Sequence, residues 1–178
     1  MKNFTDSRPK PNEYNSFYKG YIDQVKDDDF YQALSDALTS IVAFYKNIPA
    51  GKWEHRYAPD KWTIKELLLH IIDAERIFAC RALRIARNDM TPLPAFDESK
   101  YTPASKANLR TPGSLIEEYI AVRESTLHLF KYMDDEAIGR IGIASDSPAS
   151  PRALGFIIAG HELHHVNIIK ERYLLQTP

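Results

Sequence analysis

The sequence predicts an all-α protein in which four amphipathic helices form a bundle, preceded by an N-terminal arm. Four segments repeat apolar residues every three or four positions, as one buried face of a helix requires. Helix-capping residues stand at the start of the later segments, and no segment alternates apolar and polar residues like a half-buried strand. Because each such helix has one face to bury, we expect the four to pack on one another.

Length and charge restrict the classes of function. The 178 residues are the size of one ordinary domain, and we expect a single domain over residues 1–178. The 23 Lys and Arg residues balance 24 Asp and Glu residues, so no basic surface for nucleic acid or membrane lipid is expected. There is no signal-peptide pattern and no apolar run of about 18 residues that would span a bilayer. The single cysteine, Cys80, cannot form an internal disulfide, which fits a cytoplasmic protein.

The first elements are an arm and a helix. Residues 1–25 are polar and contain prolines, and we predict an extended arm that aromatic side chains anchor on the domain. Those side chains are Phe4, Tyr14, Phe17, Tyr18 and Tyr21. A partly disordered tail is the alternative for the first ten residues. The first helix is predicted over residues 28–48, where apolar residues follow helical spacing behind an acidic run.

The second helix has the clearest start. Thr63 and Glu66 form a capping-box pattern, and the helix should continue to about Asn88. His70 falls on its inner face in the second turn. Asp73 lies about 60° to one side, where it is a candidate acceptor for an imidazole N–H, although a solvated or salt-bridged position is the simpler interpretation.

A long connection follows the second helix. Residues 89–112 contain four prolines and no helical period, and they are numerous enough to carry the chain along the whole bundle. The second and third helices would then run parallel instead of forming a hairpin. We expect residues 93–97 to lie over a pocket, with Asp97 as a candidate site residue.

The third helix is predicted over residues 113–133. It begins either at Thr111-Pro112 or a turn later at Ser114-Leu115-Ile116-Glu117. His128 falls on its outer face, and His55 has no helical partner in the connection before the second helix. We exclude both histidines as metal ligands.

The last helix carries the most informative residues. Ser150 and Pro151 supply an N-cap and a first-turn proline, and the segment GHELHH follows at residues 160–165. His161 and His165 lie about 40° apart around the helix axis and point into the middle of its apolar face. Two buried imidazoles need partners for four ring nitrogens, and a metal ion satisfies one nitrogen of each. This pattern predicts a metal site; two core histidines satisfied by hydrogen bonds are the alternative.

His70 is the candidate third ligand. Three neutral imidazoles around a divalent ion leave a position for water, substrate or a thiolate. All-nitrogen ligation suits zinc, nickel, copper or iron(II). The neighbours Glu162 and His164 each lie about 80° from the line between His161 and His165, so either can touch the edge of the site. Glu162 is therefore a candidate catalytic residue, and Arg172 is a candidate to bind an anionic substrate group or, preferably, to pair with an acidic residue.

The segment also fits the zincin pattern H-E-x-x-H, but its context does not. Ile168 and Glu171 occupy the positions where the metzincin extension requires Gly and His. A zincin with a ligand on a later helix needs more chain than the short stretch after His165. A zincin-type peptidase is therefore only the third candidate.

These residues, in this order and spacing, resemble the DinB/YfiT-like superfamily of metalloenzymes. The resemblance covers nearly the whole chain. It is carried by RYAPDKWTIKE at residues 56–66, ALRIAR at 82–87, PLPAFD at 92–97, GHELHH at 160–165 and ERYL at 171–174. It implies an up-down-down-up four-helix bundle, frequently a homodimer, with nickel or zinc bound by His70, His161 and His165.

The expected function follows from this ligand set and from the resemblance. Some relatives resemble transferases that use a bacterial low-molecular-weight thiol, and others metal-dependent hydrolases. We expect a metal-dependent transferase or hydrolase acting on a small electrophilic substrate, with thiol transfer preferred by analogy. A non-catalytic metal-binding or stress-related bundle is the rival from another class.

Overall fold

The structure, a computed structural model, describes residues 8–174. Within this range four long helices form the predicted bundle, and the ends of the first three lie within two residues of the predicted bounds. The helices are α1 (Lys19–Ile22), α2 (Phe30–Lys46), α3 (Ile64–Ala86), α4 (Glu98–Ser105), α5 (Pro112–Lys131), α6 (Asp135–Gly139) and α7 (Pro151–Ile168), and the strands are β1 (Gly142–Ala144) and β2 (Ser147–Ala149). No helix of this range is both long and apolar enough to cross a membrane.

Local capping sets where the long helices begin. At α3 the Thr63 hydroxyl accepts from the Glu66 N–H, and the Glu66 carboxylate accepts from the Thr63 N–H, which completes the predicted capping box. At α5 the Thr111 hydroxyl accepts from the Ser114 N–H, so the first of the two predicted starts is the observed one. Ser150 caps α7 in the same way. Each cap stabilises its helix by about 1 kcal/mol.

Contacts at the ends of the helices give their directions. The Asn108 amide, just before α5, donates to Glu66 in the first turn of α3 over 2.9 Å, so α3 and α5 start at the same end. The Tyr173 hydroxyl, just after α7, donates to the Trp62 carbonyl before α3, so those two helices are antiparallel.

Phe30 fixes the remaining direction. This first residue of α2 contacts Phe130 at the end of α5, with ring centroids 5.0 Å apart, and Phe156 at the start of α7, at 5.7 Å. Helix α2 is therefore antiparallel to α5 and parallel to α7. The order is up-down-down-up, and the parallel arrangement of the second and third long helices predicted from the connection is confirmed.

The long connection contains structure that its sequence did not indicate. It forms the short helix α4, which includes Pro103, and a 3-10 turn at Ala107–Leu109. The Leu93 N–H donates to the Ile143 carbonyl, and Leu93 makes an isolated bridge with Ala144. The connection is thereby fastened to the strands that precede α7.

A β-hairpin precedes α7. Strands β1 and β2 pair antiparallel, with Gly142 opposite Ala149, and Ser145 and Asp146 turn the chain with φ of 51° and 57°. Positive φ at both central residues matches the twist of a two-residue hairpin. Strands of three residues are too short to show a period-2 pattern, which is why the sequence did not predict them.

The N-terminal arm lies on the bundle, but its backbone is not extended. Two 3-10 turns, Pro11–Glu13 and Ser16–Tyr18, lead into α1. A proline at the start of the first turn and the Asn15 side chain at the start of the second favour these turns. The predicted anchors Tyr14 and Tyr18 pack against the core. Phe4 and the rest of residues 1–7 lie outside the described residues.

Candidate metal centre

Three histidines from two helices meet between α3 and α7. His70 comes from the second turn of α3, and His161 and His165 lie one turn apart near the end of α7. The Nε2 atom of His161 is 3.0 Å from Nε2 of His70 and 3.1 Å from Nε2 of His165. Because α3 and α7 are antiparallel, the start of one helix meets the end of the other. The three predicted ligands are therefore brought together, with ligand atoms all within 4.8 Å of one another.

Burial keeps these three side chains uncharged at neutral pH. Desolvation lowers the pKa of His70 to about 4 and, with repulsion from His70 and His164, lowers that of His165 to about 3. The pKa of His161 is held well below its ordinary value for the same reasons, desolvation first. A neutral imidazole offers one nitrogen lone pair, which is the form that binds a metal.

Hydrogen bonds alone do not satisfy this arrangement. Both short contacts converge on Nε2 of His161, which has either one proton or one lone pair, so it makes at most one good bond of the two. A tetrahedral zinc with Zn–N distances of about 2.0–2.1 Å separates its nitrogen ligands by about 3.3–3.4 Å. The observed distances are a few tenths of an ångström shorter. The donor set and its spacing therefore fit a divalent ion.

Aromatic rings surround the histidines and hold them in place. The Trp62 ring lies 4.9 Å from the His70 ring, and Tyr21 and Phe78 lie 5.5 and 6.2 Å from that of His161. Tyr21 reaches this position because α1 crosses α7 at Gly160. A Cβ atom at residue 160 would overlap the Tyr21 carbonyl oxygen, so only glycine permits the crossing.

One side of the cluster opens into a cavity of about 180 Å³ that the three histidines help to line. Its other walls include Tyr18, Tyr21, Phe96 and Glu98. An ion held by the histidines would have a free position facing this space. Glu98 is a site residue that the sequence analysis missed, and the nearest signal was the prediction that residues 93–97 border the pocket.

The two candidate site residues Asp97 and Asp73 make their contacts away from the histidine cluster. Asp97 is exposed, and its carboxylate accepts from the Ser99 N–H at the start of α4 and pairs with Lys100 at 3.3 Å. Asp73 forms an ion pair with Arg76 at 3.6 Å, which is the simpler of its two predicted positions. Burial raises the pKa of Asp73, while Arg76 acts in the opposite direction.

Glu162 lies on the side of α7 that faces away from the histidines. It is 1 % exposed, and its carboxylate accepts from the Arg123 guanidinium, with Nη2 to Oε1 at 3.0 Å. Arg123 also binds Glu75 of α3. The candidate catalytic role for Glu162 is therefore corrected, since this carboxylate belongs to a buried ion cluster. The sequence analysis did not single out Arg123 or Glu75.

The remaining candidates lie beside the cluster or away from it. His164 is half-buried, and its ring is 5.0 Å from that of His165 and 5.2 Å from that of Tyr21. Arg172 is exposed and lies over the Tyr57 ring at 5.5 Å. His128 is exposed on α5, and His55 contacts Tyr173. Neither of these two histidines joins the ligand cluster.

A solved structure of another protein has the same architecture. The YfiT protein of Bacillus subtilis matches with a TM-score of 0.73 at 14% sequence identity, over 92% of this chain and 91% of that chain. YfiT is described as a probable metal-dependent hydrolase with an unusual four-helix bundle topology. At this identity the likeness shows the fold. A search of the curated proteins found no match.

The sequence profile of the DinB superfamily matches residues 33–169. The matched segment covers more than half of the chain. It extends from α2 to the end of α7 and contains all three clustered histidines. The chain therefore belongs to the DinB superfamily.

Proposed function

We propose that this protein is a divalent-metal-dependent enzyme that activates water or a low-molecular-weight thiol toward a small electrophilic substrate. The observation that carries the proposal is the convergence of three uncharged Nε2 atoms at the edge of an open cavity. A divalent ion, with nickel and zinc as our first candidates, supplies a nucleophile at neutral pH by lowering the pKa of water or of a thiol. His70, His161 and His165 would hold the ion.

Other residues of the cavity supply the remaining chemistry. Glu98 is positioned to accept the proton that the water or thiol loses, because its carboxylate lines the same cavity as the ligands. Burial raises the pKa of both Tyr18 and Tyr21, so their hydroxyls stay protonated and able to donate hydrogen bonds to a substrate. The aromatic walls exclude water and strengthen these polar contacts.

Hydrolysis and thiol transfer use the same site and differ in the nucleophile. The fold shared with a protein described as a metal-dependent hydrolase supports water, and the family resemblance supports a thiol. Two assays on metal-loaded protein separate them. One follows hydrolysis of activated esters, and the other follows conjugation of electrophiles with a panel of small thiols. Failure of both panels would leave the non-catalytic metal-binding bundle as the better proposal.

The first experiment is elemental analysis of protein purified without an affinity tag. We expect close to one divalent ion per chain in the parent protein and a small fraction of that in His70→Ala. His128→Ala is the matched control, because it removes an exposed histidine outside the cluster. Metal missing from the parent protein after reconstitution would return the three histidines to a structural role.

Spectroscopy of cobalt-loaded protein tests the open position. Added azide or thiol should change the visible bands if a coordination position faces the cavity. If neither ligand alters the spectrum, the position is filled by the protein, and His164→Ala shows whether His164 fills it. That outcome would favour the non-catalytic rival.

A further inference from the structure

Arg81 on α3 is a buried cation without a carboxylate partner among residues 8–174. Three lysine and arginine side chains of this range are buried: Lys65, Arg81 and Arg123. Lys65 pairs with Glu54, and Arg123 pairs with Glu75 and Glu162. Arg81 is only 5 % exposed and forms no ion pair with a described residue. An isolated buried charge is costly, so a missing counter-charge needs an explanation.

The contacts of Arg81 leave part of its guanidinium available. Its Nη2 donates to the Pro94 carbonyl at 2.7 Å and to the Ser145 hydroxyl at 2.9 Å. A guanidinium has five N–H donors, so these two partners do not use them all. Both partners are neutral and would accept equally well from an uncharged donor. Tethering the chain at residues 94 and 145 therefore does not require an arginine.

The surroundings of Arg81 are also the walls of the candidate active site. Its Cζ atom lies 5.8 Å from the Phe78 ring centre and 5.7 Å from that of Phe96. Both rings, together with Tyr18 and Ser145, line the cavity beside the histidines. Arg81 itself lines an adjoining cavity of about 130 Å³ that shares Tyr18, Phe78 and Ser145 with the first.

Phe78 is in contact with both His161 and Arg81. Its ring centre is 6.2 Å from that of His161 and 5.8 Å from Cζ of Arg81. A molecule that reacts at the histidines and extends past Phe78 would reach the guanidinium. The carboxylate of Glu98 lines the first cavity and, within the described residues, makes no ion pair with Arg81.

We infer that Arg81 forms an anion subsite that binds a carboxylate or phosphate group of the substrate, one aromatic ring away from the metal centre. This subsite deepens the proposed function, and the identification of the bound anion as part of a substrate rests on that function. Binding of an anion by Arg81 does not itself require the metal. A charge-assisted, bidentate contact between a guanidinium and such an anion is among the stronger polar interactions in proteins. Burial lowers the pKa of Arg81, with Tyr18 opposing, and a bound anion would offset that cost.

The test compares an aromatic anion with its neutral analogue. Calorimetric titrations of the full-length protein, zinc-loaded and metal-free, would use benzoate, phenyl phosphate and benzamide. We expect at least one anion to bind about tenfold more tightly than benzamide in both forms of the protein. The stronger of the two anions identifies the carboxylate or the phosphate as the preferred group.

Two variants assign this preference to a residue. Arg81→Gln keeps an N–H donor for Pro94 and removes the charge, so the preference should fall to within about twofold. Arg84→Gln loses the same charge one turn later on α3, where Arg84 already pairs with Asp89 at 2.6 Å. This matched control should keep the preference. Circular dichroism and thermal unfolding show whether each variant is folded.

Several outcomes overturn the inference. They are equal binding of anions and benzamide by the parent protein, no measurable binding of either anion, and an undiminished preference in Arg81→Gln. A preference for the anion that appears only with zinc and survives in Arg81→Gln shows that the anion binds the zinc ion and not Arg81. If the protein binds neither zinc nor nickel, the proposed function fails, while the metal-free titration still tests the subsite. Should Arg81→Gln not fold, a crystal of the parent protein with 4-bromobenzoate decides by whether the carboxylate contacts Arg81.

Discussion

Two consecutive residues of α7 belong to clusters of opposite character. His161 points to the histidine cluster, whose nitrogens crowd one another at the edge of a cavity. Glu162 points to the ion cluster, in which Arg123 donates to Glu75, to Glu162 and to the Leu34 carbonyl. Both clusters connect α3 to α7. One is fully paired and buried, and the other is unsatisfied and open.

The difference separates a structural group from a functional one. Within the ion cluster both carboxylates accept from the single Arg123 guanidinium, which is 0 % exposed, so there is neither a free donor nor space for a ligand. Burial raises the pKa of Glu162, while Arg123 opposes that effect and keeps the carboxylate paired. The histidine cluster is also largely buried, but it lies at the edge of a cavity and its ring nitrogens have too few partners. Its incompleteness is the property expected of a binding site.

Breaking the ion cluster should have the largest effect on folding. Arg123→Met leaves the carboxylates of Glu75 and Glu162 buried without a cation, and we expect a loss of about 3–5 kcal/mol in the free energy of unfolding. Urea denaturation of metal-free protein measures it. His70→Ala in the same metal-free protein should cost clearly less, because it removes one of three crowded nitrogens. Equal losses from the two substitutions would mean that the histidines are ordinary core residues.

Metal binding at the histidine cluster should have the second largest effect on the free energy of unfolding. Zinc at about 100 times its dissociation constant should raise the free energy of unfolding by about 2.7 kcal/mol. His161→Ala should lose most of this increase. His164→Ala, on the same helix but outside the cluster, should retain it. Thermal unfolding with and without zinc measures the effect, and a comparable zinc effect in His161→Ala would contradict three-histidine ligation.

Features that are determined within a single helix could be predicted from the sequence. The spacing of His161 and His165, and the capping residues Thr63 and Ser150, fix local geometry without reference to other segments. His70 followed from its face on α3 and from the need for a third ligand. The direction of the helices followed from the length of one connection and from the family resemblance.

Partners on other helices could not be read in this way. A helical wheel places Glu162 to one side of the histidines, but it does not say that Arg123 of α5 fills that side. Glu98 lies in a proline-containing segment whose helix, α4, shows no helical period. The position of Tyr21 beside the histidines depends on the docking of α1 against α7 at Gly160. In each case the deciding contact is tertiary, so the local pattern does not contain it.

Displacing the arm should affect the histidine side of α7 alone. In Gly160→Ala the new methyl group meets the Tyr21 backbone, and we expect a loss of about 1–3 kcal/mol in stability and weaker zinc binding as Tyr21 leaves His161. Gly155→Ala is the matched control, since its methyl group meets Phe30 in the core. It should destabilise the protein and leave zinc affinity unchanged. If both variants weaken zinc binding equally, the arm has no specific role at the site.

As the pH falls, protonation of the histidine cluster should destabilise the protein at a higher pH than protonation of its paired carboxylates does. Because the pKa of His70 is about 4 in the folded protein and about 6.5 when unfolded, the unfolded chain takes up more protons below pH 6.5. The contribution of His70 alone should therefore lower the stability of the metal-free protein by about 1–2 kcal/mol between pH 7 and 5, and His70→Gln should lack this part of the loss. Urea denaturation across this range measures the difference.

Glu13 provides the contrasting case. Burial acts to raise its pKa, but hydrogen bonds from Arg152 and Ser150 outweigh that effect and lower it. A carboxylate with a lowered pKa stabilises the fold above its unfolded value of about 4.3, and this contribution is lost as the pH falls through the folded value. The penalty of Glu13→Gln should consequently stay constant from pH 7 to 5 and shrink only below that range. If the parent protein and His70→Gln lose stability equally between pH 7 and 5, His70 is not held neutral by its surroundings, and the contrast between His70 and Glu13 is lost.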